Sequence, residues 1–137
     1  MIEQKDIILA KKRTGKYCRE KGHAYERKIA KELNELGFNV VTSRSESKST
    51  DDNKIDLIDL NKQLPVQIQL KKTSNIPNYF KIRSESTVDP TEFCIIWAKQ
   101  ESRETNMITV GEIALIDKQM LYKLLKSYIN GKSDSNV

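Results

Sequence analysis

Two acids, an amide and a lysine stand out among the 137 residues for their placement: Glu26, Asp56, Gln69 and Lys71. Asp56 interrupts an apolar run, Ile55–Ile58, that otherwise reads as a strand, an element in which acids are depleted. Twelve residues separate it from Gln69-Leu70-Lys71. In Val66–Lys71 a period of two puts Val66, Ile68 and Leu70 on one face and Gln67, Gln69 and Lys71 on the other. An acid on one strand, with an oxygen donor and a lysine at i and i+2 on its neighbour, can converge on one point. Two such oxygens can hold a divalent cation, which acidifies a bound water and neutralises the charge of an attacked phosphate. The ammonium can orient that water or stabilise the developing charge. A plain amphipathic hairpin, with a wet face and a lysine paired to the aspartate, would give the same pattern.

Glu26 lies on a helix expected over His23–Leu36 and stopped by Gly37. At about 100° per residue, Tyr25, Ile29, Ala30, Leu33 and Leu36 fill an arc of roughly 140°, and Glu26 projects inside it. Burying an unpaired carboxylate is costly. Either Glu26 faces a metal, a lysine or a reacting water, or it sits at the rim of the arc, reaching solvent or the first-turn amides. The single histidine, with Cys18 and Cys94 in unlike surroundings, leaves a zinc site without its usual ligands and a disulfide unexpected. A metal here would be held by oxygen, which points to Mg²⁺ or Mn²⁺.

The elements that must position these residues can be read in order. Met1–Lys21 is expected to be a basic arm, partly helical around Asp6–Lys12, followed by the helix and a short strand at Phe38–Thr42. Ser43–Asn53 is a loop rich in serine and charge. Strands at Ile55–Leu60 and Leu64–Lys72 flank a polar turn, Asn61–Gln63. Thr73–Pro90 is expected to be loop with a short strand near Tyr79–Arg83. Phe93–Ala98 is an apolar strand, Lys99–Asn106 a polar turn, and Met107–Ile116 one or two further strand segments. Asp117 can cap a last helix, Lys118–Ile129, stopped by Asn130 and Gly131. These elements predict one mixed α/β (α+β) domain over 22–131, between a basic arm over 1–21 and a tail over 132–137.

With 37% hydrophobic and 31% charged residues the chain can bury one modest core. No apolar run approaches the roughly 18 residues of a membrane helix. The charges at Glu3, Lys5 and Asp6 do not fit a signal peptide. A soluble, cytoplasmic protein is expected.

Asp56 with Gln69-Leu70-Lys71 resembles the PD-(D/E)xK nuclease signature in its D…QxK form. Lys21-Gly22-His23-Ala24-Tyr25-Glu26-Arg27, followed by Leu33…Gly37-Phe38-Asn39-Val40-Val41, resembles the opening of archaeal-type Holliday junction resolvases and their phage-type relatives. The resemblance covers about 21–72, and more loosely the strand–strand–helix end over 93–126. It implies a restriction-endonuclease-like core in αβββαβ order, with a central mixed sheet flanked by helices. It also implies a Mg²⁺- or Mn²⁺-dependent endonuclease, in the host cytoplasm if phage-encoded, that cuts branched four-way DNA junctions as a homodimer. Carried over, Glu26, Asp56 and Gln69 are metal ligands and Lys71 is the catalytic lysine. A loop serine among Ser43, Ser45 and Ser47 joins them. No proline precedes Asp56, and Gln69 stands where a glutamate is usual, removing one negative charge.

The net charge is +5, and its distribution is uneven. Lys11, Lys12, Arg13, Lys16, Arg19 and Lys21 crowd the arm, which is either a solvated tail or a phosphate-binding segment. Arg44 and Lys48 precede Asp56 in sequence and are expected near the scissile phosphate, with Ser45 between them. Arg27 and Lys72 are further candidates for touching DNA. Trp97, Phe93 and Tyr128 are candidates for an apolar dimer patch or plain core residues. Two other functions fit the same residues: a nuclease of this fold with another DNA substrate, and a non-catalytic nucleic-acid-binding or virion-associated module.

Overall fold

The computed structural model describes residues 16–43 and 55–135, with side chains over 22–43 and 55–132. Helix α1 spans Lys16–Glu35, then β1 Val40–Thr42, β2 Leu57–Asp59 and β3 Gln67–Thr73. Helix α2 (Tyr79–Ser84) and a 3-10 turn (Pro90–Glu92) lead to β4 Phe93–Arg103, β5 Asn106–Leu115 and α3 Lys118–Ser135. The predicted αβββαβ order is therefore present and continues with a further strand and helix. Lys12, Arg13, Arg44, Ser45, Ser47 and Lys48 lie outside the described residues, as does the partial helix expected at Asp6–Lys12.

The end of α1 is written in its sequence. Gly37 takes φ +111°, Phe38 N–H donates to Leu33 O and Gly37 N–H to Asn34 O, the closing pattern that glycine permits. Asn34 then clamps the next element: its Oδ1 accepts from Val40 N–H at 2.7 Å and its Nδ2 donates to Val40 O at 3.0 Å. The start of α1 differs from expectation. Gly22 does not begin it, and Lys16–Lys21 are helical, since Lys, Arg and Glu are good helix formers.

β1 pairs antiparallel with β2. β3 pairs parallel with β4, and β4 antiparallel with β5, which makes this sheet mixed, as expected. One side of it packs on α1 through Tyr25, Ile29, Ile68, Leu70, Cys94 and Ala98. On the other side Ile55, Phe93, Ile95 and Trp97 pack with Tyr79, Ile82, Val88 and Leu115. Phe93 and Trp97 are thus core residues, whereas Tyr128 is exposed. Cys94 is a free buried thiol, pushed up to about 11 by burial.

Four further expectations are corrected. Tyr79–Arg83 is helical: Asn78 caps it by accepting from Lys81 N–H, and a helix brings Tyr79 and Ile82 together onto the Phe93 cluster. The segment expected as a turn at Lys99–Asn106 is mostly paired, because ladder hydrogen bonds continue from Gln100↔Thr109 to Arg103↔Asn106 across a register shift opposite Gly111. Asn130 and Gly131 do not stop α3; a glycine in a helix costs only about 1 kcal/mol. Finally, β2 and β3 are not a regular hairpin: β2 pairs with β1, and its approach to β3 runs through Asp56.

Candidate active site

Asp56 sits just ahead of β2, against the edge of β3 that β4 leaves uncovered. Its backbone N–H donates to Ile68 O at 3.0 Å, and its Oδ2 accepts from Leu70 N–H at 2.7 Å. The carboxylate takes the place a backbone carbonyl would hold in a continued ladder. Regular pairing ends there, and the acid is fixed beside the Gln69 segment. Ser43 joins from the loop start: its N–H donates to Asp56 O at 2.8 Å, and its side chain is buried. Of the three candidate serines it is the one described, and it adjoins Asp56.

Gln69 is buried, 7% exposed, and its Oε1 has no hydrogen-bond partner. A buried carbonyl oxygen left this way is rare and calls for a reason. The polar face of β3 is therefore not wet at Gln69. Lys71, half-buried, lies two residues on and beside Trp97 in the β3–β4 register. Glu26 is 5% exposed on α1. It belongs to the helix covering the Ile68–Leu70 side, whereas Gln69 and Lys71 alternate toward the Phe93–Trp97 side. Asp56, at the strand edge, lies between the two layers. Asp56 and the Gln69 segment thus meet directly and Lys71 follows on the same strand, whereas Glu26 belongs to the helix over the opposite face of β3, which separates it from Gln69 and Lys71.

These donors suit a hard cation. The Asp56 carboxylate and the Gln69 amide carbonyl are oxygen ligands of the kind Mg²⁺ and Mn²⁺ take, and the orphaned Gln69 Oε1 fits a ligand role. Among the described residues no three His, Cys, Asp or Glu side chains form a metal-binding group.

A second cluster escaped the sequence reading. Tyr25 donates its hydroxyl hydrogen to Glu112 Oε2 at 2.7 Å, and Lys28 Nζ lies 3.2 Å from Glu112 Oε1. Lys28 and Lys72 both place their ammonium groups over the Tyr25 ring, at 5.8 Å and 5.6 Å. Burial, then the bond to Glu112, pushes the Tyr25 hydroxyl well up from its ordinary value. Glu112 is held below the ordinary carboxylate range, first by the Tyr25 bond and then by Lys28. The signal was an acid in a strand. Its partner lies 87 residues away. Arg27 is exposed and lines a shallow groove between α1 and β1 with Lys31 and Thr42.

A mixed sheet between helices, in this element order, is consistent with a restriction-endonuclease-like fold. The family profile of archaeal Holliday junction resolvase (hjc) matches residues 17–109. The chain belongs to this family, a member of the PD-(D/E)xK superfamily. No significant match was found among curated proteins or solved structures. No helix of the described residues is long and apolar enough to cross a membrane.

Proposed function

We propose that the protein is a Mg²⁺- or Mn²⁺-dependent endonuclease that hydrolyses phosphodiester bonds in four-way DNA junctions, acting as a homodimer. The observation that carries this reading is Asp56 bonded to the Leu70 amide beside a buried Gln69 whose side-chain oxygen has no partner. Asp56 and Gln69 would hold the ion. When bound, it lowers the pKa of a water and offsets the charge of the scissile phosphate. Lys71 keeps an ammonium beside that phosphate, where it orients the attacking water and stabilises the charge developing on oxygen. Asp56, tied to Leu70 N–H, keeps its geometry without reorganisation. Arg27 and Lys72, with Lys12, Arg13, Arg44, Ser45 and Lys48, would hold the DNA backbone. Such contacts set register without reading sequence.

A neutral amide where the family signature has an acid favours one second reading, a DNA-binding module on the same fold that no longer cuts. A cleavage assay separates the two. Purified protein is incubated with a four-way junction and with its component duplexes, in Mg²⁺, in Mn²⁺ and in EDTA. Metal-dependent cutting of the junction in preference to the duplexes is expected. Binding without cutting under every condition would favour the second reading. Equal cutting of linear duplex would point to a nuclease with another substrate.

A further inference from the structure

The end of β3 and the turn after it are held in place by side chains of β4. Trp97, buried beside Lys71 in the β3–β4 register, donates its indole N–H to Thr73 Oγ1 at 3.0 Å and to Thr73 O at 3.2 Å. The Thr73 hydroxyl donates in turn to Asn75 O at 2.8 Å. Lys99 Nζ donates to Ser74 O at 2.9 Å and lies 5.8 Å over the Trp97 ring. These bonds take up the backbone carbonyls of Thr73, Ser74 and Asn75, and the Ser74 and Asn75 side chains are left exposed.

This turn lines a groove of about 400 Å³ together with Lys71, Pro77 and Ile82. The lining residues include a lysine and no acid, which suits an anion. Thr73 follows Lys71 on the same face of β3, about 6.6 Å along the strand, close to the step between successive phosphates of one DNA strand. A strand whose scissile phosphate faces Lys71 therefore brings its neighbouring phosphate to the turn. Hydroxyl and amide side chains are common donors to phosphate oxygens, and a wall already fixed loses little freedom on binding.

We propose that this groove holds the phosphodiester next to the scissile one, with the Ser74 hydroxyl and the Asn75 amide donating to its non-bridging oxygens. The proposal rests on the nuclease reading above and adds to it a second contact on the cut strand, fixed relative to Lys71 through Trp97 and Lys99.

Binding of a four-way junction is measured in EDTA, so that nothing is cut, with one neutral methylphosphonate linkage placed at each position around the crossover in turn. The wild-type chain loses affinity about tenfold at each of two adjacent linkages of one strand. Lys71→Met is insensitive at one of them, and the double variant Ser74→Ala, Asn75→Ala at the other. Ser74 and Asn75 are exposed, so the double variant keeps the wild-type circular dichroism spectrum. Asn75→Asp reverses the sign at that second linkage: the neutral link relieves repulsion from the phosphate, and this variant binds the modified junction more tightly than the native one. A double variant that keeps full sensitivity at every linkage overturns the proposal, as does one that loses it at a linkage not adjacent to that of Lys71. Asn75→Asp binding the modified junction no better than the native one overturns it too. Cutting is read separately in Mg²⁺. A protein that shows this coupling and cuts nothing would remove the nuclease reading alone, and one that cuts junctions without the coupling would remove the groove alone.

Discussion

At the residue scale, the proposed site asks two things of the one Asp56 carboxylate. Its Oδ2 satisfies Leu70 N–H, and its charge is what a cation would recognise. The two are separable by mutation. Asp56→Asn keeps an acceptor for Leu70 and should leave the denaturation midpoint close to wild type. Asp56→Ala leaves a buried N–H without a partner and should cost about 1–3 kcal/mol in a urea titration. Gln69→Glu restores a charge beside Asp56 and should lower the Mg²⁺ concentration that half-saturates cleavage; an unchanged requirement would place Gln69 outside the metal site. These positions were legible in the sequence because each is a polar residue inside an apolar pattern. Glu112 gives the same signal in β5, but its meaning depends on Tyr25 87 residues away, which no local pattern reveals.

At the scale of elements, local chemistry was readable where it closes on itself. Gly37 ends α1 and Asp117 precedes α3, as their residue types require. Reading failed where a distant partner decides. Tyr-Phe-x-Ile at 79–82 has the composition of a strand, yet the Phe93 cluster is better filled by a helical turn. The polar residues after Lys99 look like a loop, yet β5 supplies a ladder for them. The Tyr25–Glu112 link between α1 and β5 makes stability depend on pH in two directions. Glu112 is depressed in the folded state, so its contribution is present above the ordinary carboxylate range and lost as pH falls through its lowered value. Tyr25 is raised, so its contribution is present below its ordinary value of 10.0 and lost as pH climbs past it. Tyr25→Phe should therefore flatten both flanks of a melting-temperature profile taken from about pH 3 to about pH 11. Identical profiles for the two proteins would assign the link no energetic role.

At the scale of the whole molecule, the proposed Lys and Arg contacts to phosphates would make DNA affinity depend on salt. Each neutralised phosphate contributes a slope of about −0.9 in log affinity against log salt. Removing Met1–Gly15 spares α1, and it should flatten that slope by a few units while weakening junction and duplex binding alike. An unchanged slope would assign the arm to solvent and move the DNA surface to the folded domain around Arg27 and Lys72. The central claim is that Asp56 and the Gln69–Lys71 segment form a metal-dependent nuclease site. The most direct test compares wild type with Asp56→Asn in single-turnover cleavage of a labelled four-way junction in Mg²⁺, at protein concentrations that saturate binding in both. The account predicts a loss of at least about 100-fold in rate with junction affinity nearly intact. Cleavage by Asp56→Asn at the wild-type rate would contradict it.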